Sequence, residues 1–493
     1  MSFSPPEEMV GRRVEWARLS EFATSGEPHA SLGIVWGRRR VGKSFLLESL
    51  VERSGGFYYG AVRGSKAEAL RDLGAQIGAF QRSPAPLALE DWDTALRALL
   101  ALGDERERLV ILDEYPYLIE HSPELDSVIQ RVLSPRGAAR TSSRARLVLC
   151  GSAMSVMRHI LGGSAPLRGR AGLDLRISPF DFRTARELHD IDDLATAVRT
   201  YAVLGGVAAY AREMSSSDLP DDPEDFDRWI CRRVLSPAAP LFGEIPLLLS
   251  EDPATAKARK PNLYHATLAG IARGHTTHSA LTSYVKIPGA SLAPIVEALV
   301  AAHLVERVQD PVRGNRPTYH PGDPLIRFHY AVIRRHQVRL ARHNADTRKI
   351  WDHIRPTFDS QVLGPAFESM ARYWIVHFAP PGAIGGVPDH VGPTVLSLPD
   401  GGEQQIDMVV AADDAEAPSG RTVLALGEAK AGERLGMRHV RRLEGARDAL
   451  GARASHATLL LFGSRFTRGV VDAAGERPDL ELIGLDRLYG SPM

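Results

Sequence analysis

The sequence predicts a multidomain α/β protein, and three observations carry that expectation. The first third alternates short apolar runs with amphipathic segments, the middle is mostly helical and basic, and the last third places three strand-like runs between two helices. With 493 residues, 44% of them hydrophobic, the chain can bury several cores, and length alone suggests about three domains.

In the first third, "SLGIVWG", "GGFYYGAV", "RLVILDE" and "ARLVLCGS" are separated by segments such as "KSFLLESLVERS" and "KAEALRDLGAQIGAFQ". Short buried strands alternating with helices imply a parallel sheet, placed over residues 1–190. Residues 191–255 follow as a helical region and connection, including the acidic, proline-punctuated "EMSSSDLPDDPEDFD". Residues 256–345 hold helices and a hairpin, and residues 346–493 form the final α/β segment.

Composition narrows the chemistry. Cys150 and Cys231 are the only cysteines, too few for a disulfide framework or a cysteine-based zinc site. No window approaches the roughly 18 apolar residues of a membrane span, and the start lacks a signal-peptide pattern, so the expected location is the cytoplasm, with no membrane partner. Lys plus Arg and Asp plus Glu are 60 each, so net charge names no partner. Between Arg273 and Lys349, however, basic residues outnumber acidic ones by more than two to one.

"IVWGRRRVGKSFLL" fits the pattern G-x-x-x-x-G-K-S/T between a strand and a helix. Gly37, Arg38, Arg39, Arg40, Val41, Gly42, Lys43 and Ser44 would then wrap nucleotide phosphates with backbone N–H groups at a helix start. Lys43 would neutralise the β and γ phosphates of ATP and Ser44 would hold Mg2+. "RLVILDEYPYL" ends a buried strand at Asp113 and Glu114, the first suited to the Mg2+ shell and the second to orienting water. Ser152, ending the next strand, would sense the γ phosphate; a turn serine is the alternative. Arg168 and Arg170 lie in the proline- and glycine-bearing stretch "GGSAPLRGRAGLDLRISPF". Arg170 would stabilise γ-phosphate charge of its own or a neighbouring subunit, the latter requiring a homo-oligomer; simple solvation explains it equally.

"MVGRRVEWARL", "WGRRRVGKS", "VILDEYPYL", "LCGSAMSVM", "PLRGR" and "LGGVAAYAREM" occur in the order seen in archaeal-type AAA+ ATPases, relatives of the STAND class of NTPases. The resemblance covers about Met9 to Met214 and implies a P-loop AAA+ parallel sheet followed by a helical lid. It also implies that Gly11 and Arg12 sit near the nucleotide base.

Next come two helices around Pro288-Gly289, then "LVERV" and "TYH" flanking a tip with Arg313, Gly314, Asn315 and Arg316. This reads as a winged helix in which Lys286, Arg313 and Arg316 would touch DNA, largely through the backbone, because the second helix lacks Arg, Asn and Gln. A winged helix used only for packing is the rival.

In the last segment, "EQQIDMVVAADD" starts a strand near Asp407, and "RTVLALGEAK" ends one with Glu428 and Lys430 on a shared face. Asp407 and Glu428 would hold Mg2+ or Mn2+, while Lys430 would position or activate water. A charged strand edge that discourages aggregation is the alternative. The order resembles the PD-(D/E)xK superfamily of restriction-endonuclease-like α/β domains, and also the C-terminal domain of unknown function that accompanies many archaeal-type ATPases. It covers about Gln361 to Gly490 and implies Glu368 as a further metal ligand. The expected function is an ATPase controlling a metal-dependent nuclease-like domain, in defence or DNA processing. The alternatives are a nucleotide-dependent DNA-binding regulator or signalling switch that cuts nothing, and a ring-forming remodelling motor.

Overall fold

The computed structural model describes residues 3–490 except 164, 216–217, 252, 257–259, 315, 398–401 and 418–419. The chain divides into two compact units, one of Met1–Phe180 with Val207–Ala209 and Ser250–Lys257, the other of Asp181–Gly206, Tyr210–Leu249 and Ala258–Met493.

In the first unit five parallel strands form one sheet: β1 (Ser31–Trp36), β2 (Phe57–Gly60), β3 (Arg108–Asp113), β4 (Ala145–Gly151) and β5 (Ala171–Arg176). Their order is β2-β3-β4-β1-β5. Side chains alternate across the sheet, so successive residues enter different cores. Leu32, Ile34, Val110, Leu112, Leu147 and Leu149 join one core. Val35, Leu109, Ile111, Val148 and Cys150 join the other, with Leu46, Leu47 and Leu50 of the helix Lys43–Ser54. Asp113 shares the parity of Ile111 and therefore faces the side of that helix.

The proline- and glycine-bearing stretch that holds Arg168 and Arg170 continues directly into β5. Its burial alternates, with Gly172, Asp174 and Arg176 exposed, as befits an edge strand with one wet face. That pattern carries no apolar run, which is why a reading by hydrophobic runs passes over it.

In the second unit, helices Pro261–Ala272, His278–Val285 and Gly289–Ala301 precede an antiparallel hairpin, β6 (Val305–Val308) and β7 (Thr318–Pro321). The helix Gly364–His377 leads into β8 (His390–Ser397), β9 (Glu403–Asp413) and β10 (Arg421–Leu435). The helix Met437–Leu450, β11 (Thr458–Phe466), the helix Arg468–Glu476 and β12 (Leu480–Ile483) complete it.

These strands make a mixed sheet of order β12-β11-β10-β9-β8, antiparallel through β8, β9 and β10 and parallel from β10 to β12. Val440, Leu443, Ala446 and Leu450 recur at helical spacing and bury against Val409, Leu426, Leu459 and Leu461. On the helix Gly364–His377, Trp374 meets Phe462 edge-on at 5.6 Å. Asp407 was expected at a strand start but lies inside β9, because the polar residues Glu403, Gln404 and Gln405 pair with Ser397, Leu396 and Val395. Among the described residues, no single helix is long and apolar enough to cross a membrane.

Candidate functional site

The first site gathers at the carboxyl ends of β1, β3 and β4. After Trp36 the chain turns through Gly37, Arg38, Arg39, Arg40, Val41 and Gly42 into the helix that starts at Lys43. Two glycines are required there for different reasons. A Cβ on Gly37 would lie 2.2 Å from the Ile177 carbonyl oxygen, whereas Gly42 meets nothing but holds φ +92°, a left-handed conformation that L side chains rarely adopt. Lys43, nearly buried, donates to the Arg38 carbonyl at 3.0 Å, so the loop encloses its own cation. The Arg40 carbonyl accepts from the Ala209 amide at 3.2 Å.

Ser44 Oγ donates to Asp113 at 2.9 Å, joining the loop helix to the end of β3. The same Asp113 oxygen accepts from the Tyr58 hydroxyl at 2.6 Å, and its other oxygen accepts from the Glu114 amide at 2.8 Å. Burial would push this carboxyl up, but hydrogen bonds from Cys150, Tyr58, the Glu114 amide and Ser44 outweigh it and hold the group below the usual carboxylate range. Asp113 is thus kept ionised at the loop. These oxygens form a hard, negatively charged set that fits Mg2+ beside a phosphate.

Glu114 occupies a left-handed conformation, φ 51°, at the start of the helix Tyr115–His121. Its two carboxylate oxygens lie 3.0 and 2.9 Å from Ser152 Oγ at the end of β4. Ser152 therefore engages the acid next to Asp113, a relationship set by β4 lying between β1 and β3.

Arg12 forms a strut. Its guanidinium donates to the carbonyls of Val41 at 3.0 Å and Ser178 at 2.7 Å, pairs with Glu15 at 2.9 Å and lies over the Phe180 ring at 3.9 Å. Gly11 before it has φ 63°. Arg12 thereby braces the phosphate loop from behind.

The own-subunit expectation for Arg170 fails. Arg170 precedes Ala171, which pairs with Leu32 at the amino end of β1, while the loop leaves the carboxyl end after Trp36. A strand of that length separates them by ~15–20 Å. With Arg18, Arg140 and Arg168 it lines a recess of about 810 Å³ at the amino end of the sheet.

The second site lies on β9 and β10. Gly427 pairs with Met408, so Glu428 and Asp407, the next residues along the antiparallel pair, face each other across the strands. Both are buried, and Lys430 bridges them, with Nζ 3.0 Å from Asp407 and 3.3 Å from Glu428. Asp407 also accepts from the Ala429 amide at 3.1 Å, and Arg442 of the helix Met437–Leu450 donates to Glu428 at 3.0 Å. Burial opposes the charge on Lys430, but Asp407 and Glu428 prevail and push its pKa up. The ammonium is held protonated and neutralises the two carboxylates it bridges.

Glu368 sits on the helix Gly364–His377, 3.9 Å from Arg372, which also donates to the Asp407 carbonyl at 3.2 Å. Burial raises its pKa to about 7, with repulsion from Asp407 added and Arg372, Lys430 and Arg327 opposing. Among the described residues no three His, Cys, Asp or Glu side chains form a metal-holding group. Glu368 lies close enough to feel the charges of Asp407 and Lys430, while Asp407 and Glu428 share the lysine ammonium directly. Two carboxylates sharing one cation remain a fit for a divalent ion in its place.

Lys286 is exposed at the end of the helix His278–Val285, with φ 59°. Arg313 and Arg316 lie in the β6–β7 loop; Asn315 falls outside the described residues. That loop is anchored to the C-terminal sheet: Thr394 donates to Asp310 at 2.9 Å, Arg421 donates to the Pro311 carbonyl at 3.0 Å, and a Cβ on Gly392 would lie 2.4 Å from the Gln309 oxygen.

Tyr58, Cys150, Arg372 and Arg442 enter these sites without a sequence signal. Each is brought in by strand order or by a helix packing on a strand, which no local spacing encodes.

Residues 9–198 match a family described as an ATPase domain predominantly from Archaea. An uncharacterized protein of Methanocaldococcus jannaschii is 24% identical over 349 residues, spanning 70% of this chain and 72% of that protein. The Walker-type ATPase of Pyrococcus abyssi shares the fold with a TM-score of 0.50 and 23% identity, over 67% of this chain and 99% of that one. The ORC2 protein of Aeropyrum pernix, solved as ADPNP and ADP complexes, is similar at a TM-score of 0.41 and 17% identity, over 68% and 97% of the two chains. The N-terminal part of this chain is an archaeal-type ATPase domain on a parallel-sheet P-loop fold.

Proposed function

We propose that this chain hydrolyses ATP and that its ATPase domain controls a nuclease-like carboxylate site acting on nucleic acid. The observation that carries the proposal is one lysine ammonium shared by two facing buried carboxylates, Asp407 and Glu428, in a chain that also carries an ATPase domain.

On the nucleotide side, Lys43 leaves the Arg38 carbonyl to meet the phosphates, and the loop amides bind their oxygens. Ser44 and Asp113 would hold Mg2+, which when bound supplies neutralising charge to the phosphates. Glu114 orients water, positioned by Ser152. Arg170 acts, in this reading, on the nucleotide of a neighbouring copy.

Residues 256–345 are read as a winged helix and residues 346–493 as a PD-(D/E)xK-type domain. The run of a helix, three antiparallel strands, a helix and a parallel strand supports the second assignment. Asp407 and Glu428 would hold Mg2+ or Mn2+, which would supply charge to a scissile phosphate. Lys430, displaced toward the substrate, orients and neutralises it.

A second reading is favoured by the ion pairing itself. Asp407, Glu428 and Lys430 already satisfy one another, with Arg442 on Glu428, so the domain would serve as a nucleotide-dependent switch that binds without cutting.

Purified protein incubated with plasmid DNA, ATP and Mg2+ or Mn2+ separates the two. Metal-dependent nicking that disappears in an Asp407→Ala, Glu428→Ala double variant supports the nuclease. No cutting of DNA or RNA moves the assignment to the switch. ATP turnover surviving Lys43→Ala would remove the hydrolysis claim.

A further inference from the structure

β9 pairs with β10 only as far as Gly427, and β12 pairs with β11 only as far as Phe462. The remainder of β10 and β11 continues as a two-stranded ribbon, and on it Arg434 and Arg465 are direct cross-strand partners. Like charges placed opposite one another disfavour a strand pair. Arg434 and Arg465 are nonetheless exposed, and among the described residues neither has an acidic partner; Arg465 donates to the Gly432 carbonyl at 2.9 Å.

The ribbon feeds into the helix Met437–Leu450, whose first turns carry Arg438, Arg441 and Arg442. Arg441 is exposed and has no acidic partner among the described residues, while Arg438 pairs with Glu433 and Arg442 with Glu428. Glu433 is also within 3.6 Å of His439, so its charge is already engaged. The result is a surface of excess positive charge that reaches the Asp407 and Glu428 pair through Arg442.

We infer that Arg434, Arg441 and Arg465 hold the phosphate backbone of duplex DNA beside that carboxylate pair. A duplex presents about one negative charge per 1.7 Å of axis, which suits guanidinium groups held side by side on a ribbon and a helix. The anchored β6–β7 loop makes Arg313 and Arg316 the secondary contacts. This assignment rests on the nucleic-acid part of the proposed function but not on cutting.

The test is fluorescence anisotropy of a labelled duplex titrated with the full chain across a range of salt, with chelator present so that nothing is cut. Arg434→Gln/Arg441→Gln/Arg465→Gln should weaken binding roughly tenfold or more near physiological salt. It should also lower the slope of log affinity against log salt by about 2.7, one released counterion set per phosphate contact. Arg313→Gln/Arg316→Gln should lower both affinity and slope by less than the triple variant does.

A wild-type slope in the triple variant, loss confined to the loop variant, or no DNA binding by the wild type would overturn the assignment. Tighter binding of single-stranded DNA or RNA than of duplex would overturn the choice of duplex. If the triple variant fails to fold, Arg441→Gln at an exposed helical position carries the test, with the slope falling by about 0.9. Binding without cutting leaves this surface standing and removes the nuclease; cutting with an unchanged slope does the reverse.

Discussion

Ser152 Oγ lies within 3.0 Å of both carboxylate oxygens of Glu114, so the acid that follows Asp113 is oriented by the neighbouring strand. Glu114→Gln should lower kcat for ATP by roughly 10²- to 10³-fold while nucleotide still binds, because water orientation is lost and the phosphate contacts remain. Ser152→Ala should lower kcat by about tenfold with little change in KM, as expected when a positioning group is removed. Steady-state turnover and nucleotide titration measure both; unchanged kcat in Ser152→Ala would end its positioning role.

Gly37 and Gly42 should respond differently to alanine. At Gly37 the new Cβ meets the Ile177 carbonyl at 2.2 Å, so backbone must move and the loop must leave the chain just past β5. At Gly42 there is space, and only the positive φ resists, at a cost of about 1–2 kcal/mol. Chemical denaturation should show the larger loss for Gly37→Ala, and nucleotide binding should be weakened in both.

Lys430→Met should destabilise the C-terminal unit by about 3–5 kcal/mol, because it leaves Asp407 and Glu428 buried with one ammonium fewer. Adding Glu428→Gln removes one uncompensated charge and should restore part of the loss. Denaturant midpoints for the single and double variants give the coupling; no recovery in the double variant would indicate that packing, and not charge, holds Lys430 in place.

His189 and His329 are buried, and burial, with Arg212 near the first and Arg334 near the second, lowers each pKa to about 4. Unfolding lets both return toward about 6.5, so the unfolded chain binds more protons between these values. Their contribution to stability is full above about pH 6.5 and is lost as pH falls toward 4, by up to about 3 kcal/mol each. The free energy of unfolding should fall with acid across that window in the wild type. The dependence should flatten in His189→Asn, even though that variant is less stable at neutral pH.

The phosphate loop, Asp113, Glu114 and the shared face of Glu428 and Lys430 were legible in the sequence. Each is a local pattern: a glycine-spaced loop between strand and helix, an apolar run ending in acids, and two residues two apart on a strand. The edge strand β5 was not legible, because its alternating exposure leaves no apolar run to read. Residue order alone names the chemical groups and their succession along the chain. The tertiary structure decided which of them meet: Tyr58 with Asp113, Ser152 with Glu114, Arg442 with Glu428, and Arg170 at the far end of β1 from the loop. The physical reason is that these pairings depend on strand order and register, which long-range burial selects and which no window of neighbouring residues contains.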